Sequence, residues 1–202
     1  MTSGEPRDED LVRRAVGGEV SAFGALVERH ERRVYNLALR MTGREEDARD
    51  ATQDAFLTAL RKLSTYRGDA AFTTWLHRVT VNACYDLLRK RRRAPALEHD
   101  AGTVPEPPPE PDHGDDVDLS VDVRRALLEV PEDYRVVMLL HDVHDLPYEE
   151  VAAIVGVPVG TVKSRLHRGR VALARIMGIT PGRERPSRER PGVREPSDET
   201  SR

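Results

Sequence analysis

The stretch 95–118 limits what this chain can fold into more than any other feature. It holds six prolines and eight acidic residues, no lysine or arginine, and almost no large apolar side chain. Such a segment cannot bury enough surface to offset the entropy of ordering it, so it reads as an extended, flexible linker. The apolar residues on its two sides must then form two small cores. That division predicts helical domains over 20–94 and 119–178, with a flexible N-terminus over 1–19, its first ten residues a frayed start, and a disordered tail over 179–202. The low aromatic content, 4% against 33% charged residues, agrees with two small units over one large core.

The net charge of −3 looks wrong for a nucleic-acid binder until its distribution is followed. Residues 1–95 carry 18 basic and 14 acidic groups, 96–118 none and 8, 119–180 8 and 8, and 181–202 6 and 5. The excess acid therefore lies in the linker, and the local field decides what a surface binds. A single cysteine, Cys84, excludes an internal disulfide and a paired-cysteine zinc site. It falls between Val79 and Leu87 at helical spacing, which predicts a buried, inert thiol. With no signal-peptide core and no apolar run long enough to span a bilayer, the expectation is a cytoplasmic protein without direct membrane insertion.

Between Leu146 and Arg175 the apolar residues Val151, Ile154 and Val155, then Val162, Leu166 and Leu173, keep helical period on both sides of a break. Gly156 can take the left-handed conformation that ends a helix, and Pro158 suits the first turn of the next. Two helices joined by so short a turn predict a helix-turn-helix, whose second helix can enter a major groove. That helix carries Lys163, Arg165, Arg168, Arg170 and Arg175, and no acid occurs from Pro158 to Gly182. A one-sided charge run of this kind points to DNA. Upstream, Val121, Leu127, Leu128 and Val130 predict one helix, and Val136, Val137, Leu139 and Leu140 another ending near Val143, both packing beneath the turn.

In the first half, Phe23, Leu26, Val27, Val34, Leu37, Ala38 and Met41 predict a long amphipathic helix stopped by Gly43. A second, from about Glu46, places Ala48, Ala51, Ala55, Phe56, Ala59, Leu60 and Leu63 inward and leaves Asp47, Asp50, Gln53 and Asp54 on or beside the other face. After a Gly-Asp turn in Tyr66–Ala71, a third helix carries Phe72, Trp75, Leu76, Val79, Ala83 and Leu87. It ends in five consecutive basic residues, Arg89 to Arg93. One or two would satisfy the helix dipole. Five, on a helix bearing Trp75 and Tyr85, predict a phosphate-tracking surface near aromatics, suited to single-stranded or opened DNA.

His141, Asp142, His144 and Asp145 are the one cluster with the look of a metal or phosphohydrolase site. Two histidines three residues apart can share a helix face, but a zinc or two-metal site needs further ligands that the sequence does not place nearby. No Gly-rich phosphate loop, nucleophile elbow or HExxH string occurs, so neither catalytic residues nor a cofactor are expected.

Two separated segments resemble one family. EEDARDATQDAFLTALRKLSTYRGDAAFTTWLHRVTVNACYDLLRKRRR is similar to conserved region 2, and LPYEEVAAIVGVPVGTVKSRLHRGRVALAR to region 4.2, of the extracytoplasmic-function group of bacterial sigma-70-type sigma factors. Having both in this order, with a short acidic linker and no region 3, is far more specific than a helix-turn-helix alone. The resemblance implies an all-α protein of two small helical domains that binds core RNA polymerase through its β′ clamp and β flap, recognises promoter DNA, and is held in check by an anti-sigma protein. It implies polymerase docking by Asp47, Asp50, Gln53, Asp54 and Phe56. Capture of an unstacked base of the minus-10 element maps to Tyr66, Asp69 and Asn82, with Trp75, Arg78, Arg89 and Lys90 nearby. Reading of the minus-35 duplex maps to Thr161, Lys163, Ser164, His167 and Arg168, with Arg165 serving either packing or phosphate. Against this stand two rivals: a stand-alone helix-turn-helix regulator with a sensing or dimerising first half, and a metal phosphohydrolase using His141 and His144.

Overall fold

The computed structural model describes residues 6–93 and 119–179, and every regular element among them is helical. The linker and tail expected from the sequence fall outside these residues. Helix α1, Asp8–Val16, lies within what reads as a flexible N-terminus over 1–19. Its first turn is acidic (Asp8, Glu9, Asp10) and its last basic (Arg13, Arg14), the sense that complements the helix dipole. Leu11 and Val12 are buried, and Asp8 accepts hydrogen bonds from Arg29 at 2.6 Å and His30 at 2.8 Å. Two adjacent apolar pairs, Leu11–Val12 and Ala15–Val16, in nine residues are too short a pattern to reveal a period. The N-terminal unit is therefore longer than the expected 20–94.

Helix α2, Val20–Thr42, stops where Gly43 takes φ 76° and donates its N–H to the Leu39 carbonyl. Helix α3, Glu45–Lys62, turns an alanine face inward: Ala48, Ala51, Ala55 and Ala59 are all fully buried. Small side chains at this spacing let α2 and the next long helix approach closely. Leu60, expected on that face, is 52% exposed, and Phe56 only half-buried. The alanines fix the centre of the buried arc, and positions 56 and 60 lie on its flank, one above the other. A 3₁₀ turn, Leu63–Thr65, and the loop to Ala71 lead into α4, Phe72–Arg93.

In the C-terminal half, Ser120 caps α5, Val121–Glu129, by accepting from the Val123 N–H at 3.4 Å. Helix α6, Glu132–Met138, widens into a π-helical turn over Leu139–Val143. Then come α7, Tyr148–Val155, and α8, Val159–Ile176, separated by Gly156 in the left-handed conformation at φ 70°. The predicted helix-turn-helix is thus present, with Pro147 and Pro158 preceding its two helices in extended conformation. On α8, Gly169 is buried because the helix lies directly on α6: a Cβ there would sit 2.5 Å from Met138 Sδ and 3.2 Å from Tyr134 Cβ.

The two helical units do not keep separate cores. One apolar cluster, around Leu11, Leu26, Phe72 and Leu76, belongs to the N-terminal unit alone. The other runs from Leu37, Met41, Ala48, Val81 and Cys84 across to Val136, Leu140, Val151, Ile154 and Leu166. Helix α4 therefore packs on α2 and α3 on one side and on α7 on the other. Arg135, 8% exposed, crosses the same seam and donates to the carbonyls of Met41, Leu128 (2.8 Å) and Val130 (3.1 Å). It thereby satisfies an orphan carbonyl in the last turn of α2. Cys84 is buried as expected, and burial pushes its thiol up to about 12.

The glycines give a paired test of this packing. Gly24, in α2, has open space where a Cβ would go, so Gly24→Ala should stabilise the fold by about 0.5–1 kcal/mol through helix propensity. Gly169→Val should instead cost about 1–3 kcal/mol by overpacking α6. Chemical denaturation of both variants checks this. A Gly169→Val variant as stable as the parent would contradict the close approach of α8 to α6.

Candidate nucleic-acid interface

The loop after α3 and the start of α4 assemble an aromatic stack. Phe72 is buried and forms the floor; Tyr66 meets it edge-on at 5.8 Å, and Trp75 lies 5.6 Å from both rings. Gly68, at φ 78°, lets the loop turn back so that the Tyr66 hydroxyl donates to the Ala70 carbonyl at 2.7 Å. Burial, the larger effect, and the nearby carboxylates of Glu9, Asp8 and Asp69 raise the Tyr66 hydroxyl above its ordinary range. Tyr66 and Trp75 stay half-buried with part of each ring accessible, while Asp69 and Arg78 are exposed.

Asn82 lies two turns further along α4, about 10 Å from Trp75 along the helix axis. It is exposed and lines a hollow of about 680 Å³ between α3 and α4 in which Arg61, Lys62, Arg89, Lys90 and Arg93 outnumber Asp54 and Asp86. The amide thus keeps company with the basic residues, and Tyr66 folds over Trp75. Of the five basic residues ending α4, three make ion pairs: Arg89 with Asp86, Arg91 with Asp47 at 3.1 Å, and Arg92 with Glu132 at 2.8 Å. Lys90 and Arg93 face the hollow.

Along α3, Asp50, Gln53 and Asp54 are exposed, Asp54 lining the α3–α4 hollow and Gln53 the groove toward α2, whereas Asp47 is largely buried by its pair with Arg91. Beside them an apolar hollow of about 370 Å³ opens between α2 and α3, lined by Phe23, Val27, Tyr35, Phe56, Leu57 and Leu60. Leu57 and Leu60 are 41% and 52% exposed. Sequence reasoning missed them as surface residues, although both sit off the alanine face.

Helix α8 buries Val162, Leu166 and Gly169 and presents Lys163, Ser164, His167 and Arg168 outward. Positions 163, 164, 167 and 168 share one face of a helix. Thr161 is half-buried, its carbonyl accepting from Ser164 Oγ at 2.9 Å. The Lys163 ammonium stands 5.5 Å over the Tyr148 ring, a cation–π contact across the turn. Arg165 turns back to pair with Asp133 at 2.9 Å, and Arg170 pairs with Asp142.

The histidines of the candidate metal cluster part company. His141 Nδ1 bonds the Leu146 carbonyl at 2.8 Å and its ring stacks on Tyr148 at 4.5 Å. His144 points inward to His77 of α4. Asp142 is held by Arg170, and among the described residues no three His, Cys, Asp or Glu side chains gather as a metal site. Nor, among them, is any helix long and apolar enough to cross a membrane.

Comparison with known proteins agrees with this geometry at both ends of the chain. Residues 26–94 match the family model of Sigma-70 region 2, and residues 120–173 that of Sigma-70, region 4. The chain is 39% identical over 175 residues to the ECF RNA polymerase sigma factor SigM of Mycobacterium tuberculosis, covering 86% of each protein. Among solved structures, it resembles CnrH in complex with the cytosolic domain of CnrY (TM-score 0.63, 27% identity, 85% of this chain and 97% of that one). It also resembles the sigma factor RpoE in complex with the anti-sigma factor NepR from Bartonella quintana (TM-score 0.62, 25% identity, 78% and 97%). With an aromatic stack and basic hollow inside the region 2 match and an outward basic face on the second helix of region 4, the chain belongs to the extracytoplasmic-function group of sigma-70-type RNA polymerase sigma factors.

Proposed function

We propose that this sigma factor divides its work among three exposed surfaces. The observation that carries the reading is their different chemistry: an apolar groove edged by Gln53 between α2 and α3, a largely basic hollow with Asn82 between α3 and α4 whose α3 rim holds Asp54, and a basic face on α8. The α3 flank docks core RNA polymerase, with Phe56, Leu57 and Leu60 supplying apolar contact and Asp50, Gln53 and Asp54 orienting it. Asp47, already paired with Arg91, supports α4 more than it meets a partner.

On α4 the basic hollow tracks the backbone of a separated minus-10 strand, Asn82 reads a base edge, and the accessible parts of Tyr66 and Trp75 cover the face of a flipped base. Unstacking a base costs a few kcal/mol, which stacking and hydrogen bonding at this site must offset. Arg78 and Asp69 border the site. Helix α8 enters the major groove of the minus-35 duplex with Lys163, Ser164, His167 and Arg168 toward the bases and phosphates. The protein acts by binding in the cytoplasm, and the polymerase performs the chemistry. An anti-sigma protein is its regulator, a reading supported by the likeness to an RpoE solved with NepR.

Asp50→Arg combined with Asp54→Arg should abolish association with core polymerase while leaving the fold intact, since both side chains are exposed. Wild-type affinity for core enzyme in a pull-down would remove the docking assignment.

Lys163→Ala and Arg168→Ala should each weaken promoter binding, and a residue that contacts phosphate should lower the salt slope by about one unit. Arg165→Ala should leave the slope unchanged, because its charge is already engaged by Asp133. Filter binding across a salt series separates these outcomes. An unchanged slope and affinity in both of the first two variants would reduce the α8 face to a solvated one.

Asn82→Ala should reduce open-complex formation and lose about 1–3 kcal/mol of base discrimination, while duplex binding through α8 survives. Permanganate footprinting of unpaired thymines, with a premelted template as control, reads this directly. Wild-type opening by Asn82→Ala would place base reading elsewhere.

A further inference from the structure

His77 and His144 meet in the seam between the two helical units, ring centroids 4.9 Å apart and planes at 50°. His77 comes from α4 and is 3% exposed; His144 follows the π-helical turn after α6. Both His77 nitrogens and Nε2 of His144 are buried without a hydrogen-bond partner. Leaving buried polar atoms unpaired is costly, and apolar residues of similar size would close this seam more firmly. The seam is thus weak at one point, and that point titrates.

The surroundings oppose a proton there. From α2, Arg33 acts on both rings, with His30 on His77 and Arg40 on His144. From α7, Glu150 accepts the Thr74 hydroxyl at 2.6 Å, and among the described residues no carboxylate offsets the cations at either ring. A bound metal cation would meet the same positive charge, and no third ligand stands beside the pair among the described residues.

We propose that the His77–His144 pair is a proton-operated latch: neutral imidazoles allow the two helical units to close on each other, and protonation of either drives them apart. Burial, reinforced by the neighbouring cations, holds His77 down to about 3 and His144 to about 4 in the closed arrangement, against an ordinary value of 6.5. Opening exposes both rings, so the open form binds more protons. Closure is therefore fully favoured above pH 6.5 and weakens as the pH falls below it. At pH 5 each ring shifts the closed–open equilibrium about 30-fold toward open, and the two together roughly 10³-fold.

Opening has a clear use if the three-surface reading above holds. The 149 described residues pack into a body roughly 40 Å across. Minus-10 and minus-35 elements, about 25 base pairs apart, are separated by roughly 85 Å of duplex at 3.4 Å per pair. A closed molecule cannot engage both. The 25 residues between Arg93 and Leu119 reach at most about 85 Å, which suffices once the seam parts.

The test uses the full chain without polymerase or DNA, so its failure leaves the promoter-reading assignments untouched. Imidazole titration by NMR, radius of gyration by small-angle scattering and helicity by circular dichroism are followed together from pH 8 to 4.5. The expected result is an increase in radius that coincides with protonation of His77 and His144 below pH 6.5, at constant helicity. His144→Lys should be expanded already at pH 7.5, and His77→Leu with His144→Leu should stay compact to a pH at least one unit lower than the wild type. The latch is overturned by any of four results: protonation of both rings without expansion, no expansion down to pH 4.5, expansion at the same pH in the double variant, or expansion only together with loss of helix.

Discussion

Burial of α4 from two sides is the constraint on which the arrangement depends. On one side Phe72, Leu76 and Val79 complete the N-terminal core; on the other Val81 and Cys84 join α2 to the residues of α6 and α7. The helix can serve both because its inward residues sweep round the axis as it advances, and what stays outward is Arg78, Asn82, Arg89 and Lys90. The residues proposed to meet DNA are thus held by a helix whose opposite surfaces are committed to packing. A base-reading amide gains from such a mount, since an error of an ångström in its position would forfeit much of its discrimination.

Charge is apportioned in the same way. Arg91, Arg92, Arg165 and Arg170 are taken up by Asp47, Glu132, Asp133 and Asp142, ion pairs that fix how α3, α4, α6 and α8 meet. Apart from the part-buried Arg91–Asp47 pair they add little to stability, but all of them set which guanidinium groups remain for a polyanion. On α8 the division is by helical face: 165 and 170 turn toward carboxylates of the same unit, while 163, 167 and 168 do not. In the sequence all of these form one basic run, and only the positions of Asp133 and Asp142 in space sort them.

That sorting marks the limit of what the sequence made legible. The long helices, the Gly43 and Gly156 stops, the helix-turn-helix and the buried thiol followed from period and from the backbone preferences of glycine and proline, which are local. The family followed from motif order. Helix α1 was missed because two apolar pairs in nine residues are too short a pattern to establish a period. Leu60 was placed inside because a helical wheel ranks by hydrophobicity and does not see that alanines occupied the closest approach. The shared core was missed for a different reason: periodicity says that Val81 and Val151 each need cover, but not that each covers the other. The same blindness applies to His77 and His144, which lie 67 positions apart in sequence and carry no mutual signal.

The seam also bears on how partners compete for the protein. A ligand shifts a conformational equilibrium only by the difference between its affinities for the two states. If polymerase and promoter require the units apart, part of their binding energy is used to break the α4–α7 contact, and their apparent affinity falls by the fraction of molecules that are open. A regulator that binds the units together gains the same contact at no cost. A modest seam energy therefore separates the two classes of partner in opposite directions. The unpaired His77 and His144 nitrogens lower that energy, which makes the closed arrangement easier to open.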